Sequence, residues 1–503
     1  MPFNCLKIST LKKSPLSIAL LPFLLGLTAC STLTPLSHPN KVTPTPLNAN
    51  KTLNVVENSQ PDFNQTDFSQ KVANARHEYT LDNGLRVIIK EDHRSPVVMS
   101  QIWYKVGSDD EPQNLGGISH LLEHMMFKGT KTVSSADFER IVSKFGGSNN
   151  AFTTHDYTGY YEIFPANRLG LALELEADRM TNLQLQATDF TQERQVVMEE
   201  RRQRTDDNPN ARAYEQFSKM AFPTSPKGES VIGPMTEIEA ITLPDLAKWY
   251  QAWYRPNNAT LVIVGDISPD TALAEVKRYF GAKQAIATPA RQSVRQAGFR
   301  GYQEHVAKLP VQVPSVMIAF NVPTLTTADN PKTAHTLSLL AEVLDGGLSA
   351  RLEKHLVREK QILASVGSGY SSFDRGDGLF MVHATPRAGV SLELARQAVL
   401  DEIDALKTQP ILASELTRAK TNTITGLIYG QDSLSGQAQI IGSLASIGLD
   451  DRMIYDLPKI FDTINEQDLH AVASKYLVKD NLTVLNVISD GASKNSHDTS
   501  VKK

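Results

Sequence analysis

After residue 78 the apolar positions follow two alternating periods. Leu85-Arg86-Val87-Ile88-Ile89 and residues 97–106 have the length and β-branched, aromatic character of strands. Residues 117–127, 136–145 and 166–180 repeat apolar side chains at steps of three and four, and with 189–204 they predict helices. Residues 149–154 and 159–164 return to a strand pattern. Ala259 to Val264, apolar but for Thr260, predicts a strand buried on both faces, closing at Gly265-Asp266.

The same order then recurs. Pro96-Val97-Val98-Met99 has a counterpart in Pro314-Ser315-Val316-Met317. Ile241, Asp245-Leu246, Asn258 and Thr260 match Ile464, Asp468-Leu469, Asn481 and Thr483 at identical internal spacings. A shared register over this length predicts a duplicated α/β domain. Residues 73–275 form the first copy, 276–305 the linker and 306–490 the second copy, with 491–503 as a disordered tail. The alignment sets Ser338, Ala341 and Glu342 opposite His120, Glu123 and His124.

The chain's beginning changes the picture of where it works. Lys7, Lys12 and Lys13 precede an apolar stretch from Ser14 to Gly26, too short for an ordinary membrane span. It ends in Leu27-Thr28-Ala29-Cys30, which resembles a bacterial lipobox. The resemblance implies residues 1–29 as a lipoprotein signal peptide and Cys30 as the lipidated residue. With Ser31 rather than Asp following, it also implies an outer membrane lipoprotein facing the periplasm. The alternative is an ordinary secretory signal with a fortuitous Cys. Residues 30–72, rich in Ser, Thr, Pro, Asn and Gln, predict a flexible tether.

Composition narrows the class further. Cys5 and Cys30 are the two cysteines, so cleavage and acylation leave none for a disulfide within one chain. Loss of the three signal lysines takes the formal charge from −4 to −7 and leaves 474 of 503 residues. A mildly acidic chain without basic runs excludes a nucleic-acid-binding role.

The strongest chemical signal is His120-Leu121-Leu122-Glu123-His124. At 3.6 residues per turn, positions i, i+3 and i+4 share one helix face. Two imidazoles there can bind Zn²⁺, and a carboxylate beside them can accept a proton from water. The order is H-x-x-E-H, the reverse of H-E-x-x-H; an exposed helix with two incidental histidines is the alternative. A catalytic zinc usually needs a third protein ligand. Glu193 and Glu200 lie seven apart and share a face, whereas Glu199 points about 100° away from Glu200. A solvated helix is the alternative there, because Arg194, Arg201, Arg202 and Arg204 can pair with these acids.

Several further strings follow in order: Leu81-Asp82-Asn83-Gly84-Leu85-Arg86-Val87, then Gly116 to Thr130 around the pentapeptide, Asn150-Ala151-Phe152-Thr153, Ala177-Asp178-Arg179-Met180, and Pro256-Asn257-Asn258-Ala259-Thr260. Together they resemble the M16 (pitrilysin-type, inverzincin) metallopeptidases, above all the short bacterial members related to mitochondrial processing peptidase. The resemblance implies an α+β fold: two homologous α/β domains of the LuxS/MPP-like type, each a mostly antiparallel sheet packed with helices. It implies a zinc metalloendopeptidase acting on peptides or unfolded polypeptide, with His120, His124 and Glu200 as metal ligands and Glu123 as the general base. Glu193 matches the family's supporting acid, and Asn150 and Ala151 match an edge strand that pairs with substrate; a plain strand start is their alternative.

The second copy departs from the family pattern. Arg358 fits a substrate-binding Arg, but Ser365 stands seven residues on where the family has Tyr, and Tyr370 is out of register. A surface helix Arg is the alternative for Arg358, and a helix C-cap the alternative for Gly346-Gly347. The resemblance implies a dimer, either a homodimer or a heterodimer with a sister chain lacking the zinc motif. The competing class is a non-catalytic or partner-dependent envelope lipoprotein that uses the fold for binding or assembly.

Overall fold

Two sheets of matching topology organise the computed structural model, which describes residues 75–296 and 301–491. The first contains β1 (Arg76–Thr80), β2 (Arg86–Glu91), β3 (Val97–Tyr104), β4 (Ser148–Thr153), β5 (Thr158–Pro165) and β6 (Ala259–Gly265), in the order β1-β2-β6-β3-β5-β4. The second contains β7 (Gln303–Leu309), β8 (Ser315–Val322), β9 (Leu363–Gly369), β10 (Gly378–Pro386) and β11 (Leu482–Ser489), in the order β7-β11-β8-β10-β9. Each sheet is antiparallel except for one parallel pair, β2 with β6 and β7 with β11. Apart from the extra edge strand β1, one order maps onto the other.

The helices of the first unit are α1 (Ile118–Met125), α2 (Ser135–Lys144), α3 (Leu169–Asn182), α4 (Ala187–Arg201), α5 (Pro209–Ala221), α6 (Met235–Ala240), α7 (Leu243–Trp253) and α8 (Pro269–Phe280). Those of the second are α9 (Pro331–Asp345), α10 (Leu392–Thr408), α11 (Ala413–Gly430), α12 (Leu434–Ser446), α13 (Leu457–Asp462) and α14 (Glu466–Tyr476). Helix α8 runs through residue 275 to Phe280, and β7 begins at Gln303, so both units extend into the stretch expected to link them. The expected signal peptide, Cys30 and the tether lie outside the described residues, as does all but Gly491 of the expected tail.

The repeat persists in local chemistry. Thr242 and Asp245 form a capping box at α7, and Asn465 and Asp468 form one at α14. After each helix an Asn amide closes the turn into the last strand: Asn258 donates to Trp253 O at 3.0 Å, Asn481 to Tyr476 O at 2.7 Å. These side chains satisfy backbone groups that a helix end leaves unpaired.

Both faces of each sheet are covered, which is why β6 reads as an apolar run interrupted only by Thr260. On one face of the first sheet, Val87, Ile89, Ile102, Leu261 and Ile263 pack with residues of α1, α3, α7 and α8. The other face receives a helix from the second unit: Ala438, Ile441 and Ala445 of α12 lie on Ile88, Met99, Trp103, Val262 and Val264. Gly442 makes this approach possible, since a Cβ there would lie 1.9 Å from Trp103 Cε2. The second sheet is covered reciprocally by α5 of the first unit, whose Ala213 and Phe217 meet Ala307, Leu309, Met317, Ala319, Leu485 and Val487. Full burial of one such large apolar side chain contributes about 1.5–3 kcal/mol. Polar contacts reinforce the docking: Arg76 to Asp451 at 2.6 Å, Lys90 to Gln431 at 2.9 Å and Gln437 to Asp92 at 2.7 Å.

Candidate metal centre

Helix α1 turns Leu121, Leu122 and Met125 into the core, fully buried, and this orientation leaves His120, Glu123 and His124 facing α4 and the edge strand β4. The two imidazole rings are 4.9 Å apart and edge-to-face. From α4, Glu200 Oε2 approaches His124 Nε2 at 3.4 Å and His120 Nε2 at 3.8 Å. One donor atom from each of the three residues falls within 4.8 Å of the others, the one such group of three among the described residues. Two imidazole nitrogens and a carboxylate oxygen are the donor types that zinc takes, and one helix pair presents all three to a common point.

The electrostatics differ between the two imidazoles. Burial, followed by the neighbouring His124, pushes His120 down to about 4, which keeps its ring neutral and its lone pair available. Burial also opposes charge on His124, but the carboxylates of Glu200 and Glu193 outweigh it and raise its pKa. The hydrogen bond from His124, ahead of the coulombic pull of His120, holds Glu200 below the ordinary carboxylate range despite burial.

Surrounding groups orient the cluster. Glu193 Oε2 lies 3.2 Å from His124 Nδ1, and its other oxygen takes Lys128 Nζ at 2.5 Å. A carboxylate on the far nitrogen of a ligating His fixes the tautomer and ring direction. Glu123 Oε2 accepts from Thr153 Oγ1 at 2.5 Å, while burial raises its pKa. Arg204 reaches Glu200 Oε1 at 2.7 Å, an i,i+4 pair; the chain after α4 continues as a π-helical turn, Arg202–Asp206, instead of the α-helix expected to residue 204. Glu199 faces outward to Arg202 and Gln203.

The remaining expected positions divide. Asn150 and Ala151 lie on β4, which pairs with β5 on one side and forms the sheet's free edge on the other among the described residues. Thr153 on the same strand makes the contact to Glu123. Arg358, by contrast, is exposed on a π-helical segment, Leu352–Glu359, with a hydrogen bond to Leu348 O at 3.4 Å. No contact among the described residues joins it to the His120 cluster. Ser365 is exposed on β9 opposite Thr385, and Tyr370 is buried with its hydroxyl bound to Pro323 O at 2.6 Å, so it is not free to replace the missing Tyr. Gly346 is the C-cap of α9 and Gly347 follows with φ 98°, which matches the capping alternative.

Thr153 and Lys128 were invisible as site residues because their roles depend on partners 30 and 65 positions away. Both stand inside motif strings, Asn150 to Thr153 and Gly116 to Thr130, which is the signal that could have found them.

Comparisons with known proteins identify the family. Residues 86–235 match the family described as insulinase (peptidase family M16), and residues 240–423 match the peptidase M16 inactive domain. The zinc protease PqqE of Helicobacter pylori is 32% identical over 408 residues, covering 80% of this chain and 90% of that protein. An uncharacterized zinc protease of Streptomyces coelicolor is 27% identical over 429 residues, covering 83% and 91%. The crystal structure of a protease from Helicobacter pylori superposes with a TM-score of 0.75 at 28% identity, over 82% of this chain and 99% of that one.

Proposed function

The chain belongs to peptidase family M16, and from that premise we propose that it is a zinc-dependent endopeptidase hydrolysing peptides or unfolded protein segments at the periplasmic face of a bacterial envelope. The observation that carries this is the convergence of His120, His124 and Glu200 from two helices, with Glu123 held beside them at the free edge of a sheet.

His120, His124 and Glu200 would hold the metal, which when bound supplies a Lewis acid that polarises the scissile carbonyl and lowers the pKa of water to about 7. Glu193 fixes the His124 ring, backed by Lys128. Glu123, its carboxyl raised by burial, takes the proton of the attacking water and returns it to the leaving amine. Thr153 aims one oxygen of that carboxylate. Strand β4 offers Asn150 and Ala151 to an extended substrate, whose backbone pairs with little demand on side chains. A donor for the developing oxyanion is not supplied by Arg358 and Tyr370 in the positions described above.

Zinc content by mass spectrometry together with cleavage of a quenched peptide tests the proposal. The expected result is one zinc per chain and turnover that Glu123→Gln abolishes; a metal-free, inert protein would favour the binding module instead. That alternative calls for the loss of a ligand, and all three are present. The anchor rests on Leu27 to Cys30, and among the described residues no helix is long and apolar enough to cross a membrane. Detergent partitioning of Cys30→Ala checks it, with unchanged membrane retention as the contrary outcome. A two-domain chain is half of an enclosed chamber, so the proposal includes a homodimer or a heterodimer with a sister chain, read out by size-exclusion chromatography of the chain alone and with co-expressed neighbours.

A further inference from the structure

Helix α1 has eight residues and begins where a side-chain cap cannot be placed. Its N-cap, Gly117, has φ 91°, and a Cβ there would lie 2.4 Å from the Ile232 carbonyl oxygen. The Ser, Thr, Asp or Asn that usually caps a helix is therefore excluded. The first N–H groups still need acceptors, because each one buried and unmet costs about 1–3 kcal/mol.

Glu111 supplies them from six and eight residues upstream. Its Oε2 accepts from Gly117 N at 2.8 Å and its Oε1 from Ser119 N at 2.8 Å, immediately before His120. Burial raises the pKa of the Glu111 carboxyl, and these two donors pull it back down. The turn that carries Glu111 is fastened in the opposite direction. Asp110, buried, accepts from Arg375 Nη2 at 3.1 Å and from Arg291 Nη2 at 2.8 Å. Arg375 lies between β9 and β10 of the second unit and also binds Asp156 at 2.9 Å. Gln292 in the connecting segment donates to the Glu111 carbonyl at 3.1 Å. One short turn thus contacts the start of the metal-binding helix, the connector and the second unit.

We propose that Glu111 is a positioning residue for the metal-binding helix, capping α1 from outside and tying its pose, through Asp110 and Arg375, to the docking of the second unit. The consequence for turnover rests on the peptidase proposal; the consequences for helix protection and zinc affinity do not.

The test uses the full chain carrying Glu111→Gln, whose amide keeps one acceptor but turns an NH₂ toward the other backbone donor. In zinc-free protein, amide exchange at Gly117 to Leu121 should accelerate about tenfold, the equivalent of one hydrogen bond. Zinc affinity by chelator competition should fall about 10- to 100-fold. For a quenched peptide, kcat should drop while KM stays within about twofold of the parent. Arg375→Ala should shift exchange and affinity in the same direction by less. Arg76→Ala, which breaks an ion pair between the units that does not touch this turn, should leave α1 exchange unchanged. Wild-type exchange and zinc affinity in Glu111→Gln overturn the proposal; loosening of α1 by Arg76→Ala equal to that by Arg375→Ala overturns the route through the turn. If Glu111→Gln does not fold, Glu111→Asp, too short to reach both donors, gives the same readouts. Should the parent chain cleave no peptide, the peptidase proposal falls while exchange and affinity still decide the role of Glu111.

Discussion

The two units present the same frame with opposite chemistry. In the first, α1 packs on β4, α4 and α7; in the second, α9 packs on β9, α11 and α14. The first frame points two imidazoles and a carboxylate at one another. In the second, the aligned positions are spent on internal contacts: Ser338 Oγ returns to Ala334 O at 3.2 Å, and Glu342 Oε2 takes Asn422 at 3.4 Å. Asp345, one turn on, accepts from Ser368 N of β9 at 2.8 Å. The starts of the two helices differ as well. Helix α9 is capped locally by Asn330, whereas α1 relies on Glu111 from a distance. A helix beside an edge strand is thus a property of the fold, and three side chains add to it a group of the donor types a metal takes.

The contrast can be broken most severely at Glu123. Glu123→Gln should lower kcat/KM by about 10²–10⁴-fold, the usual contribution of a positioned acid–base group, with zinc content unchanged; retained proteolysis would overturn its assignment. The joint between the units is the next target. Gly442→Leu forces a side chain into Trp103, and overpacking of this kind costs about 1–3 kcal/mol. A lower melting temperature, with loss of the near-ultraviolet signal of Trp103, should report it; an unchanged melt would mean that α12 docks less closely.

An effect of similar size isolates the acid sensitivity of the second unit. His335 of α9 is buried with Nε2 unpartnered, and burial pushes it down to about 4. The unfolded chain binds its proton near 6.5, so between about 6.5 and 4 unfolding takes up a proton and stability falls as pH falls. His335→Leu should flatten the decline in that window by about 1–3 kcal/mol, measured by urea unfolding at pH 7 and pH 5; parallel pH profiles would refute it. The smallest effect belongs to the graft Ser338→His with Ala341→Glu and Glu342→His. Helix α11 carries one carboxylate, Glu415, already engaged by Arg351 at 2.8 Å. Zinc stoichiometry should therefore remain one per chain, and a second tightly held zinc would show that the frame alone nearly suffices.

Much of this was legible in the residues because it is periodic or local. Alternating and three-to-four spacings mark strands and helices without reference to neighbours, and the shared offset of Asp245 with Asp468 and Asn258 with Asn481 exposes the duplication. The pentapeptide places His120, Glu123 and His124 on one face by helix geometry alone, and the seven-residue step from Glu193 to Glu200 does the same for α4. What the tertiary structure decided are relations between distant segments. Thr153 meets Glu123 across a strand and a helix, and Lys128 backs Glu193. Tyr370 is removed from contention by its hydrogen bond to Pro323 O. The exchange of α5 and α12 between the sheets, and the cap that Glu111 lends to α1, likewise depend on which surfaces meet. A side chain's period is written in its neighbours along the chain; its hydrogen-bond partner is chosen by packing, and packing closes loops whose length the local pattern does not encode.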